Sequence, residues 1–482
     1  MRRRPELQTL CAAACLTLSI VSCGCGFGSP EPRLLILITV DTLRAVRLGA
    51  AGSTLGLTPH IDALAAESHY FRSVYAPTSF TLPSISSLMT GQYPEELGIA
   101  SNRSALRSTI PTLASVLHEH GWRTAAVVSN FVLRRNSGLA VGFDHYDDTL
   151  PQTEIVRGWP ERMASRTTDA AIAVLDAWPE DPGARSFLWV HYQDPHGPYT
   201  PPDGYRERFL SIERDAPDGN RELPKQTGRG GRGLLPSYQQ IGDARSVAFY
   251  RAGYDGEVAY VDEEVGRLLS AIDERGAKQH SVIVFTADHG ESLGEQNYWF
   301  AHGERLSDPL VRVPLMIRAP GVDPEVRSDI ASLVDLYPTL LNLTIGAHPD
   351  ARGRNLMVPR EQRRPSEPYL ATLDSGSQRR IGIVEGPNKL VLTRIGSHWE
   401  SELYRHPVDG LERRSNRPKI RDKLRAKLDL FRNELQHGEP ELRQRLSSEA
   451  QRQLRALGYA EDTTEDSAEE SAEDAGGQAG AE

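Results

Sequence analysis

The chain is 482 residues long, 39% hydrophobic and 25% charged, the composition of a folded globular protein rather than a fibrous or low-complexity one. That length admits one large α/β domain with an appendage, or two to three domains. The net charge of −10 is concentrated: the segment 461–482 carries nine acids and no base, so the rest is near neutral, and nothing in it suggests the basic face a nucleic-acid binder needs.

Arg2, Arg3 and Arg4 followed by an apolar stretch from Leu10 to Val21 predict a targeting segment over 1–22, too short to span a membrane as a mature helix. It ends Ile20-Val21-Ser22-Cys23, which resembles a bacterial lipobox. The expectation is an exported protein lipid-anchored at Cys23 on the periplasmic face or cell surface; the alternative is a plain secretory signal cleaved nearby. All four cysteines (Cys11, Cys15, Cys23, Cys25) lie in this region, so the body has neither a disulfide nor a cysteine nucleophile.

The run LLILITV (34–40) reads as a strand buried on both faces of a parallel sheet, ending at Asp41. A helix is predicted over 58–68, with Thr58 as its cap. The next stretch, APTSFTLPSISSLMTG (76–91), reads as a strand-to-helix turn with Pro83 in the first helical turn, where its missing N–H costs nothing. A helix mouth attracts anions. Thr81 sits there as an attacking hydroxyl, a metal-gripping group, or only an N-cap.

A helix over 109–120 precedes the strand TAAVVS (124–129), which ends at Asn130. FLWVHYQ (187–193) ends at Asp194-Pro195-His196, and SVIVFTA (281–287) ends at Asp288-His289. Between them, 203–246 is rich in Gly, Pro and Arg and reads as a long surface loop, and 254–275 is a helix with one apolar stripe. Four strands with polar groups at their ends predict an α/β, doubly wound, mostly parallel sheet with its site along one edge. Further on, 335–343 is an apolar helix. IGIVEG (381–386) and KLVLTRIG (389–396) suggest a small antiparallel C-terminal subdomain over 346–410. Residues 411–460 are helical in pattern, and 461–482 read as a disordered tail.

Asp41, Asp288 and His289 form a ligand set suited to one divalent ion, Zn²⁺, Mn²⁺ or Ca²⁺. A Thr81 hydroxyl held by the same ion would be an activated nucleophile. His196 and His302, each in a Gly/Pro-flanked loop (DPHGPY, FAHGE), could bind ester oxygens or protonate a leaving group, or be structural. Asn130 and Asp194, at strand ends, are candidate substrate-binding residues.

At this point the chain resembles the sulfatase family of the alkaline phosphatase superfamily. The resemblance rests on ITVDTLRAVRLG (38–49), TLPSISSLMTGQYP (81–94), YQDPHGPYTPP (192–202), YDGEVAYVDEEVGRLL (254–269), TADHGESLGE (286–295), HGERLSDPLVRVPLMIRAPG (302–321) and DLYPTLL (335–341). It implies an alkaline-phosphatase-like catalytic domain over 33–345, a metal at Asp41, Asp288 and His289, and a nucleophile at the helix mouth. Departures matter. Thr81 replaces the Cys that the family converts to formylglycine, and Ile85 replaces its Arg. Asp41-Thr42 replaces a paired Asp-Asp, the Gly-Lys-Trp-His segment is missing, and Gln296 stands where many relatives have His. Formylglycine from cysteine is therefore excluded.

A threonine nucleophile resembles the phosphodiesterase and phosphoethanolamine-transferase branches, and Asn102 matches an Asn that binds a phosphoryl oxygen there. The expectation is a metal-dependent hydrolase of phosphate or sulfate esters acting through Thr81, on a small-molecule or polymer substrate. The alternatives are a phosphoethanolamine- or phosphoglycerol-type transferase, or an inactive surface lipoprotein that keeps the fold to bind a glycan or phosphorylated polymer.

Overall fold

The computed structural model describes residues 31–179, 181, 183–225, 232–362, 367–372, 378–406, 412–435, 442, 444 and 447–456. The segment 1–22 expected to be a targeting sequence, Cys23, and the acidic tail 461–482 lie outside the described residues. Among the described residues no helix is long and apolar enough to cross a membrane.

Eight strands make the central sheet: β1 (Leu34–Val40), β2 (His69–Tyr75), β3 (Arg123–Val128), β4 (His145–Asp147), β5 (Ser186–Tyr192), β6 (Ser281–Ala287), β7 (Arg312–Arg318) and β8 (Glu325–Ser332). Their spatial order is β8-β2-β7-β6-β1-β5-β3-β4. Only β7 runs against its neighbours; β1 pairs in parallel with both β5 and β6. The three central strands are rich in β-branched and large apolar residues, which suit a strand covered on both faces. Leu35 to Ile38, Phe187 to Val190 and Val282 to Phe285 are fully buried.

Because β1, β2, β3, β5 and β6 share one direction, their carboxyl ends lie along one edge, where open α/β sheets bind ligands. Asp41, Asn130, Asp194 and Asp288 all follow strands at that edge. The helix Thr81–Thr90 follows β2 there, with every residue buried. It stops at Gly91, whose φ of 70° an L side chain rarely adopts; a Cβ there would also come within 2.9 Å of Tyr337 Cδ1.

Several elements differ from their sequence pattern. Within 203–246, expected as a surface loop, Tyr205–Asp215 is a helix. Its few apolar residues sit among eight charged or polar ones, so the pattern is weak, and tertiary contacts decide the outcome. Phe209 is buried, Arg206 lies 3.9 Å over the Phe249 ring, and the helix packs along Val247–Glu274. That long helix starts seven residues before the expected 254, where the Ser246 hydroxyl accepts the Phe249 N–H at 3.3 Å. The 113–119 helix is capped by Thr112, which accepts from Ser115 N at 3.1 Å. Thr58 does not cap the 59–66 helix: its hydroxyl turns to Gly49 N, and the Asp262 carboxylate accepts the His60 and Ile61 N–H groups instead, at 3.1 and 2.8 Å.

C-terminal to the central sheet, Tyr369–Thr372, Arg380–Glu385, Asn388–Ile395, His398–Arg405 and Arg413–Arg414 form an antiparallel meander in sequence order. The helix Pro418–Glu434 covers it through Leu424 and Leu428, and Tyr93 and Val334 of the large domain join the same core. The buried Lys389 ammonium joins the two units: it donates to Asp308 at 2.6 Å and to the Leu306 carbonyl at 2.8 Å, and pairs with Glu412. A second helix, Ser448–Ala456, lies in the segment expected to be helical.

Candidate active site

Three chain segments converge where β1, β6 and the 81–90 helix meet. Thr81 is the first residue of that helix; Phe80 holds the cap position, and no side chain caps there. The Thr81 hydroxyl therefore does not serve as an N-cap. Its Oγ1 lies 3.3 Å from His289 Nε2. Ser84 donates to the Asp288 carbonyl at 2.6 Å, which fastens the helix to the end of β6.

His289 Nδ1 faces the Gly290 carbonyl at 2.9 Å, which leaves Nε2 aimed inward, 3.4 Å from Asp288 Oδ2 and 4.0 Å from Asp41 Oδ1. One donor atom from each of Asp41, Asp288 and His289 falls within 4.8 Å of the others. Asp41 Oδ1 and Asp288 Oδ2 are buried without a hydrogen-bond partner. Buried carboxylate oxygens without partners are costly. Burial pushes Asp41 up to about 7, against the pull of His289, and Asp288 up to about 6, with Asp41 adding to the rise. A cation among these atoms relieves both costs, and a carboxylate–carboxylate–imidazole set suits a divalent ion. The residues present thus fit the expected metal.

The supporting contacts are dense. Asp288 Oδ1 accepts the N–H groups of Thr42, at 3.1 Å, and His289, at 2.7 Å. Thr42 takes a positive φ of 54°, unusual for a β-branched residue. Tyr254 holds that turn by donating to the Thr42 carbonyl at 2.8 Å while accepting the Arg44 N–H at 3.0 Å. Asn130 donates through Nδ2 to Asp41 Oδ2 and accepts the Val132 N–H through Oδ1, so the structure places it behind Asp41. Asn102 Oδ1 accepts the Leu82 N–H at 2.8 Å, and its buried Nδ2 has no hydrogen-bond partner. That amide stands one residue from Thr81 along the helix mouth.

His302 stacks near His289, with ring centres 4.8 Å apart, and His196 lies 5.1 Å from His302. Glu291 orients His302 through Nδ1 at 3.3 Å and accepts from Tyr199 OH at 3.1 Å. His196 Nδ1 faces the Gly197 carbonyl, and burial, aided by His302, holds this imidazole well below its usual range, hence neutral. Asp194 lines a cavity of about 30 Å³ with His196, Glu161 and Glu257. Burial raises it to about 6. Ile85 is buried in the hydrophobic core, and Gln296 reaches Glu412 and Arg305 on the outer wall.

Two participants were not foreseen. His191 is fully buried, its Nδ1 is held by Thr39 Oγ1 at 2.8 Å, and its Nε2 lies 3.7 Å from Asp41 Oδ2 with no hydrogen bond of its own. Burial depresses it to about 4, so it stays a neutral imidazole. A histidine inside the otherwise apolar strand FLWVHYQ was the available signal. Glu291, three residues after Asp288, had none beyond its place in the motif.

A sequence-family profile described as Sulfatase matches residues 33–347. The chain is 26% identical over 349 residues to a choline-sulfatase of Rhizobium meliloti (strain 1021), covering 65% of this chain and 67% of that protein. One similar solved structure, described as in complex with its substrate D-glucosamine-2-N,6-O-disulfate, has a TM-score of 0.67 at 20% identity and covers 86% of this chain and 99% of that one. Another is the phosphonate monoester hydrolase of Agrobacterium radiobacter, with a TM-score of 0.65 at 21% identity, covering 84% and 96%. Both likenesses speak to the fold.

Proposed function

This chain belongs to the sulfatase family of sulfuric and phosphoric ester hydrolases, and from that premise we propose that it cleaves phosphate or sulfate esters with Thr81 as the nucleophile. The observation that carries the reading is the convergence of Thr81 Oγ1, His289 Nε2 and the partnerless oxygens of Asp41 and Asp288 in one buried pocket.

Asp41, Asp288 and His289 would hold one divalent cation, Zn²⁺, Mn²⁺ or Ca²⁺, with Thr81 beside it. Such an ion supplies Lewis-acid stabilisation of developing charge and lowers the pKa of an adjacent hydroxyl. The chain's own groups do the rest. Thr81 Oγ1, fixed on a rigid buried helix, attacks the phosphorus or sulfur and gives up its own proton to solvent water as the ester oxygen departs. Water then cleaves the bond to Oγ1, releasing the inorganic anion and restoring the hydroxyl. Asn102 Nδ2 donates to a non-bridging oxygen of the ester. His302, oriented by Glu291 through Nδ1, presents Nε2 to the departing oxygen and gives it a proton, while neutral His196 flanks that oxygen. Asn130 and His191 keep Asp41 in place.

Phosphate esters are placed ahead of sulfate esters, because Ile85 and the missing Lys remove two cationic contacts of the ordinary sulfatase site, and an Asn beside a Thr matches the phosphodiesterase branch. We further place the protein outside the cytoplasm, anchored at Cys23, on the strength of Arg2–Arg4 and the apolar stretch before it.

The test is hydrolysis of nitrophenyl phosphate, bis-nitrophenyl phosphate and nitrophenyl sulfate by wild type and Thr81→Ala after metal loading. At least one ester is turned over by wild type, and Thr81→Ala loses more than about 1000-fold in kcat/KM. Inactivity of wild type with every divalent metal would instead favour the binding-only alternative.

A further inference from the structure

Between the small antiparallel sheet and the segment 296–307 lies a cleft of about 320 Å³, near the lower end of small-molecule sites and sized for a sugar. Arg305, Arg380 and Arg232 line it. Among the described residues none of the three has a carboxylate partner. Arg305 reaches only the Gln296 carbonyl and amide oxygens, at 3.5 and 3.4 Å. Arg380 donates to the Glu304 carbonyl and, at 2.6 Å, to Gln378 Oε1. The acids of the facing wall are engaged elsewhere: Glu412 with Lys389, and Glu402 with Arg414. Glu400 is largely solvent-exposed.

The arginines feel one another. Burial holds Arg305 and Arg380 below the usual guanidinium range, Arg232 adds to the effect on Arg305, and Arg305 adds to it on Arg380. Glu304 offsets part of that charge at longer range, and Glu400, Glu402 and Glu412 also line the cleft, but none of them is ion-paired with Arg305, Arg380 or Arg232 among the described residues. Guanidinium groups left so favour an incoming oxyanion, whose geometry they match.

The loops that wall the cleft are tied to those of the reaction site. Ser79, two residues before Thr81, donates to the Arg305 carbonyl at 2.9 Å. Tyr298 donates to the His302 carbonyl at 3.0 Å, and the Arg305 guanidinium lies 4.7 Å over the Tyr298 ring. Ala371 N, on the edge strand of the small sheet, donates to the Pro77 carbonyl at 2.8 Å. One anchored loop system thus carries both Thr81 and the arginines.

We propose that this cleft is a subsite for a second oxyanion of the substrate, a sulfate, phosphate or carboxylate borne by the same sugar-sized molecule as the ester that Thr81 attacks. The substrate class is then a polyanionic ester, and the proposal rests on the ester-hydrolase reading above. Arg305 and Arg380 are its anchoring residues, and Arg232 stands at its rim.

Calorimetric titration of metal-loaded Thr81→Ala protein tests it without turnover. The ligand pairs are glucosamine 6-sulfate against glucosamine 2-N,6-O-disulfate, glucose 1-phosphate against glucose 1,6-bisphosphate, and glucose against glucuronate. In at least one pair the ligand with the extra anion binds about tenfold tighter or more, as a charge-assisted contact supplies; which pair responds identifies the oxyanion. Adding Arg305→Gln and Arg380→Gln brings that ratio near one, and Arg305→Lys retains most of it. Should the double variant melt early, Arg305→Gln alone, at a half-buried position, reads the same ratio. A ratio near one in every pair, or a ratio unchanged by Arg305→Gln, overturns the proposal. Because binding is read without hydrolysis, a failure of Thr81 chemistry leaves this measurement standing.

Discussion

Asp41 shows how much of this site depends on residues that never meet substrate. Its Oδ2 is held by Asn130 Nδ2 and approached by His191, while Oδ1 is left without a hydrogen bond for an ion. Groups that orient a metal ligand are typically worth 10–100-fold in metal affinity. Asn130→Ala is therefore expected to weaken divalent-metal binding by about that factor while keeping the wild-type far-UV circular dichroism spectrum; titration with Mn²⁺ or Zn²⁺ reads it. Asp41, Asp288 and His289 were legible because each ends a strand of unmistakable apolar pattern. Asn130 was equally visible at a strand end, but whether its amide faces substrate or Asp41 depends on a turn that spacing does not encode. His191 was hidden because a lone histidine in a buried strand is more often a satisfied core residue.

At the scale of elements, the four strands read at 34–40, 124–129, 187–193 and 281–287 lie within one residue of β1, β3, β5 and β6, since a continuous apolar run bounded by polar groups has one plausible reading. The strands β2, β4, β7 and β8 carry no such run and were not read. Helix ends were less legible, because their caps come from distant residues. Asp262, on the long 247–274 helix, accepts the His60 and Ile61 N–H groups of the 59–66 helix, about 200 positions away in sequence. Asp262→Ala strands two backbone donors, one of them buried, and should cost about 1–3 kcal/mol of stability. Urea denaturation measures it, and a loss below that range would mean water caps the helix instead. The 205–215 helix was missed for a related reason: its stripe is short, its surface is charged, and packing on the long helix determines it.

For the molecule as a whole, burial of acids sets the response to pH. Glu161 is raised from its ordinary 4.5 to about 8 and Asp194 from 3.8 to about 6, burial being the largest cause in both; Asp194 adds to the rise at Glu161. Each carboxyl is more easily protonated folded than unfolded. The stability this confers is present below the unfolded values and is lost as pH rises through the folded ones. The melting temperature of metal-saturated protein is therefore expected to fall between pH 4.5 and 8, and Glu161→Gln, which is neutral throughout, should flatten that fall. Parallel wild-type and variant curves would assign the decline to other groups. The small C-terminal antiparallel sheet was visible in the short apolar runs 381–386 and 389–396, but what fastens it was not. Lys389, Asp308 and Glu412 are far apart in sequence and ordinary there, and only the packed structure makes them a buried ionic junction.

The central claim is that Thr81 itself attacks the ester. Acid-quenching the metal-loaded enzyme during turnover of its best nitrophenyl ester, followed by peptide mass analysis, addresses it most directly. The account predicts one phosphoryl or sulfuryl group on the peptide carrying Thr81, absent from Thr81→Ala, which no longer turns the ester over. Hydrolysis by Thr81→Ala at the wild-type rate, with no modified peptide in either protein, would contradict it.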